Sequence, residues 1–207
     1  MVAENYTHLT LVIDRSGSMY NLASDVSGSI NTLIREQAAI ADSEITISLV
    51  QFDSEYEAVE EFVPAKHVNN YNLVPRGSTA MNDSVFRAIN ETKERIDAMP
   101  EANRPSNVIV TIATDGYENA SSEVTNAQLK KLVEEREADG WSFVFIASNI
   151  DAKTAGGSLG ITNTASNSHT GAGYAQTYST LSATISTTRT TGTSFDSAWK
   201  ENDTNSQ

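Results

Sequence analysis

The chain contains no cysteine. That excludes a disulfide framework and cysteine-ligated zinc, and it suits a reducing compartment. Basic residues are scarce: 14 lysines and arginines stand against 27 acids, a formal net charge of −13. This balance argues against a nucleic-acid backbone or an anionic membrane as the main partner, and it is compatible with cations or a locally basic partner. No apolar run approaches the roughly 20 residues that a membrane helix requires. The opening MVAENYTHLT lacks the basic and apolar regions of a secretory signal. Together these absences give the expectation of a soluble, cytoplasmic protein with no nucleic-acid or membrane partner. What is present is 207 residues, 39% hydrophobic and 20% charged, long enough to bury one substantial core.

Hydrophobic periodicity organises the chain. Thr7–Ile13 reads as a first strand, followed by a helix carrying Leu22, Val26, Ile30, Leu33 and Ile34 on one face. SEITISLVQF (43–52) alternates as a strand, and a turn at Asp53-Ser54 leads into EYEAVEEF, whose acids suit an exposed antiparallel edge. After the irregular NYNLVPRGSTAMNDS, Asn82 or Asp83 is placed to cap a helix with Val85, Ile89, Ile96 and Met99 inward. SNVIVTIAT (106–114) and WSFVFIAS (141–148) read as strands covered on both faces. Between them, Thr125-Asn126-Ala127-Gln128 has capping-box spacing and Gly140 a helix stop. Tyr174, Tyr178, Leu181 and Ile185 keep helical spacing in a Ser/Thr-rich segment, and from about Gly192 a loose tail is expected, with Phe195 and Trp199 available to anchor part of it.

Strands alternating with amphipathic helices predict a three-layer α/β fold: a mostly parallel central sheet with one antiparallel edge strand and helices on both faces. Ligands of such sheets bind beyond the carboxyl ends of the strands. Asp14 and Asp115 each follow a predicted strand directly, so both fall on that rim. LTLVIDRSGSM adds Ser16 and Ser18 at every second position, and RGSTAMNDS adds Ser78 or Thr79. All are hard oxygen donors with no histidine nearby in sequence, which disfavours zinc and copper and favours Mg²⁺, Mn²⁺ or Ca²⁺. Neutral hydroxyl ligands leave a cation electrophilic toward an incoming carboxylate or phosphate.

DRSGSM, GSTAMND and VTIATDG, in this order, resemble the von Willebrand factor A (vWA) domain with its metal-ion-dependent adhesion site, the MIDAS. The likeness extends over about residues 5–190, with 1–191 as the expected domain and 192–207 as its tail. The resemblance matches Asp14, Ser16 and Ser18 to the first motif, Thr79 to the family's threonine and Asp115 to its last acid. It implies Mg²⁺ or Mn²⁺ held directly by the serines and the threonine, with the aspartates acting directly or through water. A sixth position would be left for an Asp or Glu of a partner protein, and no reaction would be catalysed. Arg15, Ser78, Tyr117, Glu118 and Asn119 are the candidate rim around the ligand, while Met19 is expected in the core. Helix movement on ligand binding is known in the family. Intracellular bacterial members often work beside ATPases, chelatases or stress-response proteins, and the resemblance selects none of these.

Other readings compete. DRSGSM alone is also a polar turn, and Asp83 also suits a positive helix end. GGSLG (156–160) matches the G-x-S-x-G elbow of hydrolases but lacks the strand-to-helix context, and His169 is a lone partner for Ser158. Haloacid-dehalogenase-type phosphatases want a second aspartate where Ser16 stands. GAGYAQ lacks the third glycine of a dinucleotide fingerprint, and no Walker motif occurs. A metal-free scaffold using the same fold is the remaining alternative.

Overall fold

The computed structural model describes residues 3–204, with side chains from 5 to 203. Residues 1 and 2 of the expected domain and 205–207 of the expected tail lie outside this range. Six strands form one sheet: β1 (Ala3–Asp14), β2 (Glu44–Phe52), β3 (Tyr56–Pro64), β4 (Pro105–Thr114), β5 (Ser142–Ser148) and β6 (Asn163–Asn167). Their spatial order is β3-β2-β1-β4-β5-β6. All neighbours pair parallel except β3, which runs antiparallel to β2 as an edge strand.

Alternation along the strands sorts side chains into two apolar layers. Leu9, Leu11 and Ile13 of β1, with Ile109, Ala113, Val144 and Ile146, face α1 (Ala23–Ala38) and the long α5 (Gly171–Thr191). Val12, Val110, Ile112, Phe143 and Phe145 face the opposite way, towards α2 (Met81–Asp97) and α3 (Asn126–Ala138). Val26, Ile30, Leu33 and Ile34 from α1 and Tyr174, Tyr178, Leu181 and Ile185 from α5 are all buried as predicted, while of the α2 stripe Val85, Ile89 and Ile96 are buried and Met99, past the helix end, is only partly so. Full burial of one such side chain stabilises by roughly 1.5–3 kcal/mol. The capping box is formed as predicted: Gln128 N donates to Thr125 Oγ1 (3.3 Å) and Thr125 N to Gln128 Oε1 (2.9 Å).

The structure differs from the sequence expectation in three places. Asp151 caps a short helix, α4 (Ala152–Ser158), which leads into the polar edge strand β6. Only Thr164 carries β-propensity in Asn-Thr-Ala-Ser-Asn; pairing with β5 overrides the rest. Where a loose tail is expected, α6 (Phe195–Thr204) forms instead, because Phe195, Ala198 and Trp199 are buried and Asp196 accepts a hydrogen bond from Asn163 (2.8 Å). Finally, α2 begins at Met81 without a side-chain cap of its own, so Asn82 and Asp83 lie within its first turn.

Candidate metal centre

The strand order reverses at β1: β2 lies on one side and β4 on the other, so the crevice beyond β1 and β4 is the topological switch point. Ile13 pairs with Ala113, which places Asp14 beside Thr114 and one step from Asp115. Three loops converge there and are joined through their backbones. Gly17 N donates to Gly77 O (3.2 Å) and Arg76 N to Arg15 O (2.7 Å). Asn119 N and Ala120 N donate to Thr79 O (3.1 and 3.2 Å), while Thr79 N donates to Asn119 Oδ1 (3.0 Å). Gly77 has φ +70°, and an added Cβ would stand 3.0 Å from Asp53 Cβ, so only glycine gives this close approach without strain.

Within this frame four of the five predicted donors form one chain of contacts. Thr114 Oγ1 donates to Asp14 Oδ2 (2.6 Å), and Ser16 N donates to Asp14 Oδ1 (2.6 Å). Ser16 Oγ lies 3.1 Å from Ser18 Oγ, and Ser18 Oγ donates to Asp115 Oδ1 (2.6 Å). Asp14, Ser16, Thr79 and Asp115 are buried; Thr79 joins the group through the backbone clamp described above. Burial pushes the Asp14 carboxyl above its ordinary range, against hydrogen bonds from Thr114 and Ser16 and with the charge of Asp115 adding to the rise. Among the described residues neither aspartate pairs with a basic side chain, and Asp115 Oδ2 is buried without a hydrogen-bond partner.

Asp53, directly after β2, provides the contrast. Its Oδ2 accepts from Arg15 Nε (3.0 Å) and Arg76 Nε (2.7 Å), so two guanidiniums neutralise it. The strand-end aspartates of β1 and β4 have no such compensation. Two adjacent buried carboxylates without a counter-charge are costly, and this set of carboxylates and hydroxyls has the chemistry that would suit a hard cation. Among the described residues no group of three or more His, Asp or Glu is arranged to hold a metal ion. The donors here are of another kind, two carboxylates and three hydroxyls.

The predicted rim is only partly a rim. Ser78 and Asn119 are exposed, and Tyr117 is 68% exposed. Arg15, expected on the rim, is instead buried at 5% exposure, because its guanidinium is drawn to Asp53 and Glu57 beneath the loop. Glu118 turns inward: Oε2 accepts from Asn82 N (2.7 Å) and Oε1 from Ala120 N and Ser121 N (2.8 and 2.7 Å). It thereby caps α2, the role expected of Asn82 or Asp83. Asp83 accepts from Ser122 N and Val124 N (2.9 and 2.8 Å) and so secures the loop after β4. Met19 is fully buried, as expected. Sequence reasoning missed Thr114 and Asp53; the signal for Asp53 was a third strand ending in aspartate, QFD beside VID and ATD. Ser158 does not sit on an elbow: its exposed hydroxyl donates to Ala155 O, and His169 faces Ser148 and Asn149.

Residues 8–190 match the family model of the von Willebrand factor type A domain. The chain belongs to that family. Solved vWA structures share its fold at low identity. The proximal thread matrix protein 1 of the mussel byssus, in a form described as having a zinc-occupied MIDAS motif, is 12% identical (TM-score 0.61; 86% of this chain, 45% of that one). The PilB minor pilin of Streptococcus sanguinis is 13% identical (TM-score 0.64; 88% and 62%). The vWF domain of the type V pili tip protein Mfa5 from Porphyromonas gingivalis is 12% identical (TM-score 0.64; 89% and 96%). The chain thus spans less than two thirds of the mussel and streptococcal proteins and nearly all of the Mfa5 domain. No curated protein matches the sequence.

Proposed function

We propose that this vWA domain is a metal-dependent protein-binding module, with Mg²⁺ or Mn²⁺ held by Ser16, Ser18 and Thr79 and supported by Asp14 and Asp115. The observation that carries this reading is the pair of buried, unpaired carboxylates at the switch point, one with an orphaned oxygen. Domains of this family are commonly adhesion or protein-interaction modules, which supports a binding role rather than a catalytic one. When bound, the cation would supply an electrophilic position for an Asp or Glu of the partner. The chain's own residues do the rest: Thr114 and Ser16 N orient Asp14, Ser18 orients Asp115, and the Asn119 clamp fixes Thr79 beside them. A cytoplasmic setting remains part of the proposal, supported only by the absence of cysteine.

Isothermal titration with Mg²⁺ and Mn²⁺ tests the reading. The wild type should saturate and Asp14→Ala should lose binding at least 100-fold. At a metal concentration 100 times the wild-type dissociation constant, the wild type should gain about 2.7 kcal/mol of stability and the variant no more than about 0.4 kcal/mol. Absence of metal binding by the wild type at millimolar concentration would favour the metal-free scaffold instead.

A further inference from the structure

Among the described residues four large apolar side chains are exposed: Tyr20 (76%), Tyr117 (68%), Val74 (62%) and Val59 (39%). Val59 lies on edge strand β3. The other three lie on the loops of the metal centre, although loops 15–22, 74–80 and 115–121 make up only about a tenth of the chain. Tyr20 is two residues beyond Ser18, and Tyr117 is two beyond Asp115, whose carboxylate Ser18 contacts. Val74 is two residues before Arg76, whose N–H is bonded to Arg15 O. Two residues of chain reach at most about 7 Å, so Tyr20 and Tyr117 stand close to the donors, and Val74 lies on the loop that is bonded to Arg15, between Asp14 and Ser16. Single exposed apolar residues need no explanation; three concentrated on one functional face do.

The three loops carry two of the chain's 27 acids, Asp115 and Glu118. Asp115 is buried, and both oxygens of Glu118 are occupied by hydrogen bonds from the backbone and from Ser121. The side chain of Arg76 is 54% exposed and is paired with both Asp53 and the exposed Glu55 (2.7 Å each). A strongly acidic protein therefore presents on these three loops a collar that is apolar and whose two acids are buried or tied up in hydrogen bonds.

We propose that Tyr20, Val74 and Tyr117 form a specificity collar that selects a protein loop whose metal-binding Asp or Glu is flanked by apolar side chains. This rests on the metal-dependent reading above and adds to it the chemistry of the partner. The collar excludes water around the carboxylate contact, and its aromatic members supply large, rigid contact area. Two flanking carboxylates on a partner would gain nothing from an apolar collar, whereas flanking Leu, Ile, Phe or Met would bury against it.

A phage-displayed library of disulfide-closed heptapeptides with a fixed central Asp or Glu and randomised flanks tests the proposal, selected in Mg²⁺ and in EDTA. The expected result is Mg²⁺-dependent enrichment of apolar flanks on the wild type. Synthetic winners should bind Tyr20→Ser/Tyr117→Ser about tenfold more weakly, while calorimetric Mg²⁺ affinity is unchanged. Enrichment of polar or acidic flanks, equal binding by the double variant, or recovery of no binder by a protein that takes up Mg²⁺ overturns the collar alone. Failure of the wild type to bind Mg²⁺, or enrichment that persists in EDTA, overturns the metal reading beneath it.

Discussion

Of the polar groups that strand β1 buries, His8 and Asp14, six residues apart, are finished in opposite ways. At His8 every hydrogen-bonding atom is occupied. Nδ1 meets Thr46 Oγ1 (2.9 Å), Nε2 meets Thr10 Oγ1 (3.2 Å), and Thr10 in turn meets Thr92 (3.1 Å). The ring is stacked on Phe62 at 3.7 Å between centroids. Burial pushes the His8 pKa down to about 3, with the charge of Arg95 adding to the fall, so the imidazole is neutral and closed. At Asp14 and Asp115 the partners are hydroxyls and one amide, no cation is present to balance the charge, and one carboxylate oxygen has no partner. A satisfied buried network specifies a fold, whereas an unfinished one keeps binding capacity at a cost in stability. Burial alone does not separate the two, since both lie in the same strand.

Breaking the closed cluster should give the largest effect. His8→Ala removes a stacked, fully buried ring and its hydrogen bonds to Thr46 and Thr10, which keep only Tyr6 and Thr92 as side-chain partners. We expect a loss of about 3 kcal/mol in urea unfolding, with Mg²⁺ affinity by calorimetry unchanged. A fall in metal affinity would show that the two regions are coupled. Titrating the cluster is the milder form of the same experiment. The folded-state pKa of His8 lies below the unfolded value of 6.5, so the folded protein binds fewer protons and loses stability as pH falls through 6.5 towards about 3. Between pH 7 and pH 5 the wild type should lose about 2 kcal/mol more than His8→Gln, and equal pH slopes would refute the closed, neutral histidine. The smallest effect should come from the open region. Gly77→Ala forces a side chain into a left-handed conformation against Asp53, costing about 1 kcal/mol. It should also weaken Mg²⁺ binding, because Gly77 O holds Gly17 and the same loop carries Thr79. Unchanged metal affinity would mean that the clamp tolerates displacement.

Much of both regions was legible in the sequence. The β-branched runs and 3.6-residue stripes gave the parallel sheet and its helices. Asp14, Ser16, Ser18 and Asp115 were picked out because they follow predicted strand ends directly, while the choice of Thr79 over Ser78 came from the vWA resemblance. Arg15 was misplaced because its neighbours in sequence are rim residues, while Asp53, 38 residues away, holds its guanidinium. Glu118 was misplaced for a similar reason: the unsatisfied amides of α2 lie 36 residues away along the chain. The strand β6 had almost no local signal, since its polar residues are held by pairing with β5 rather than by propensity.

Sequence by itself determined which side chains stand at the carboxyl ends of the strands, because an apolar run of a given length must end where polarity returns. It also determined the chemical hardness of the donors, which is a property of residue type alone. Only the tertiary structure decided which of three strand-end aspartates is neutralised and which two are left without a counter-charge. Asp14, Asp53 and Asp115 look alike as text. The sheet order puts Arg15 and Arg76 on Asp53 and only hydroxyls and one amide on the other two. Electrostatic balance depends on distance through space, and here the chain sets that distance through contacts between loops far apart in sequence.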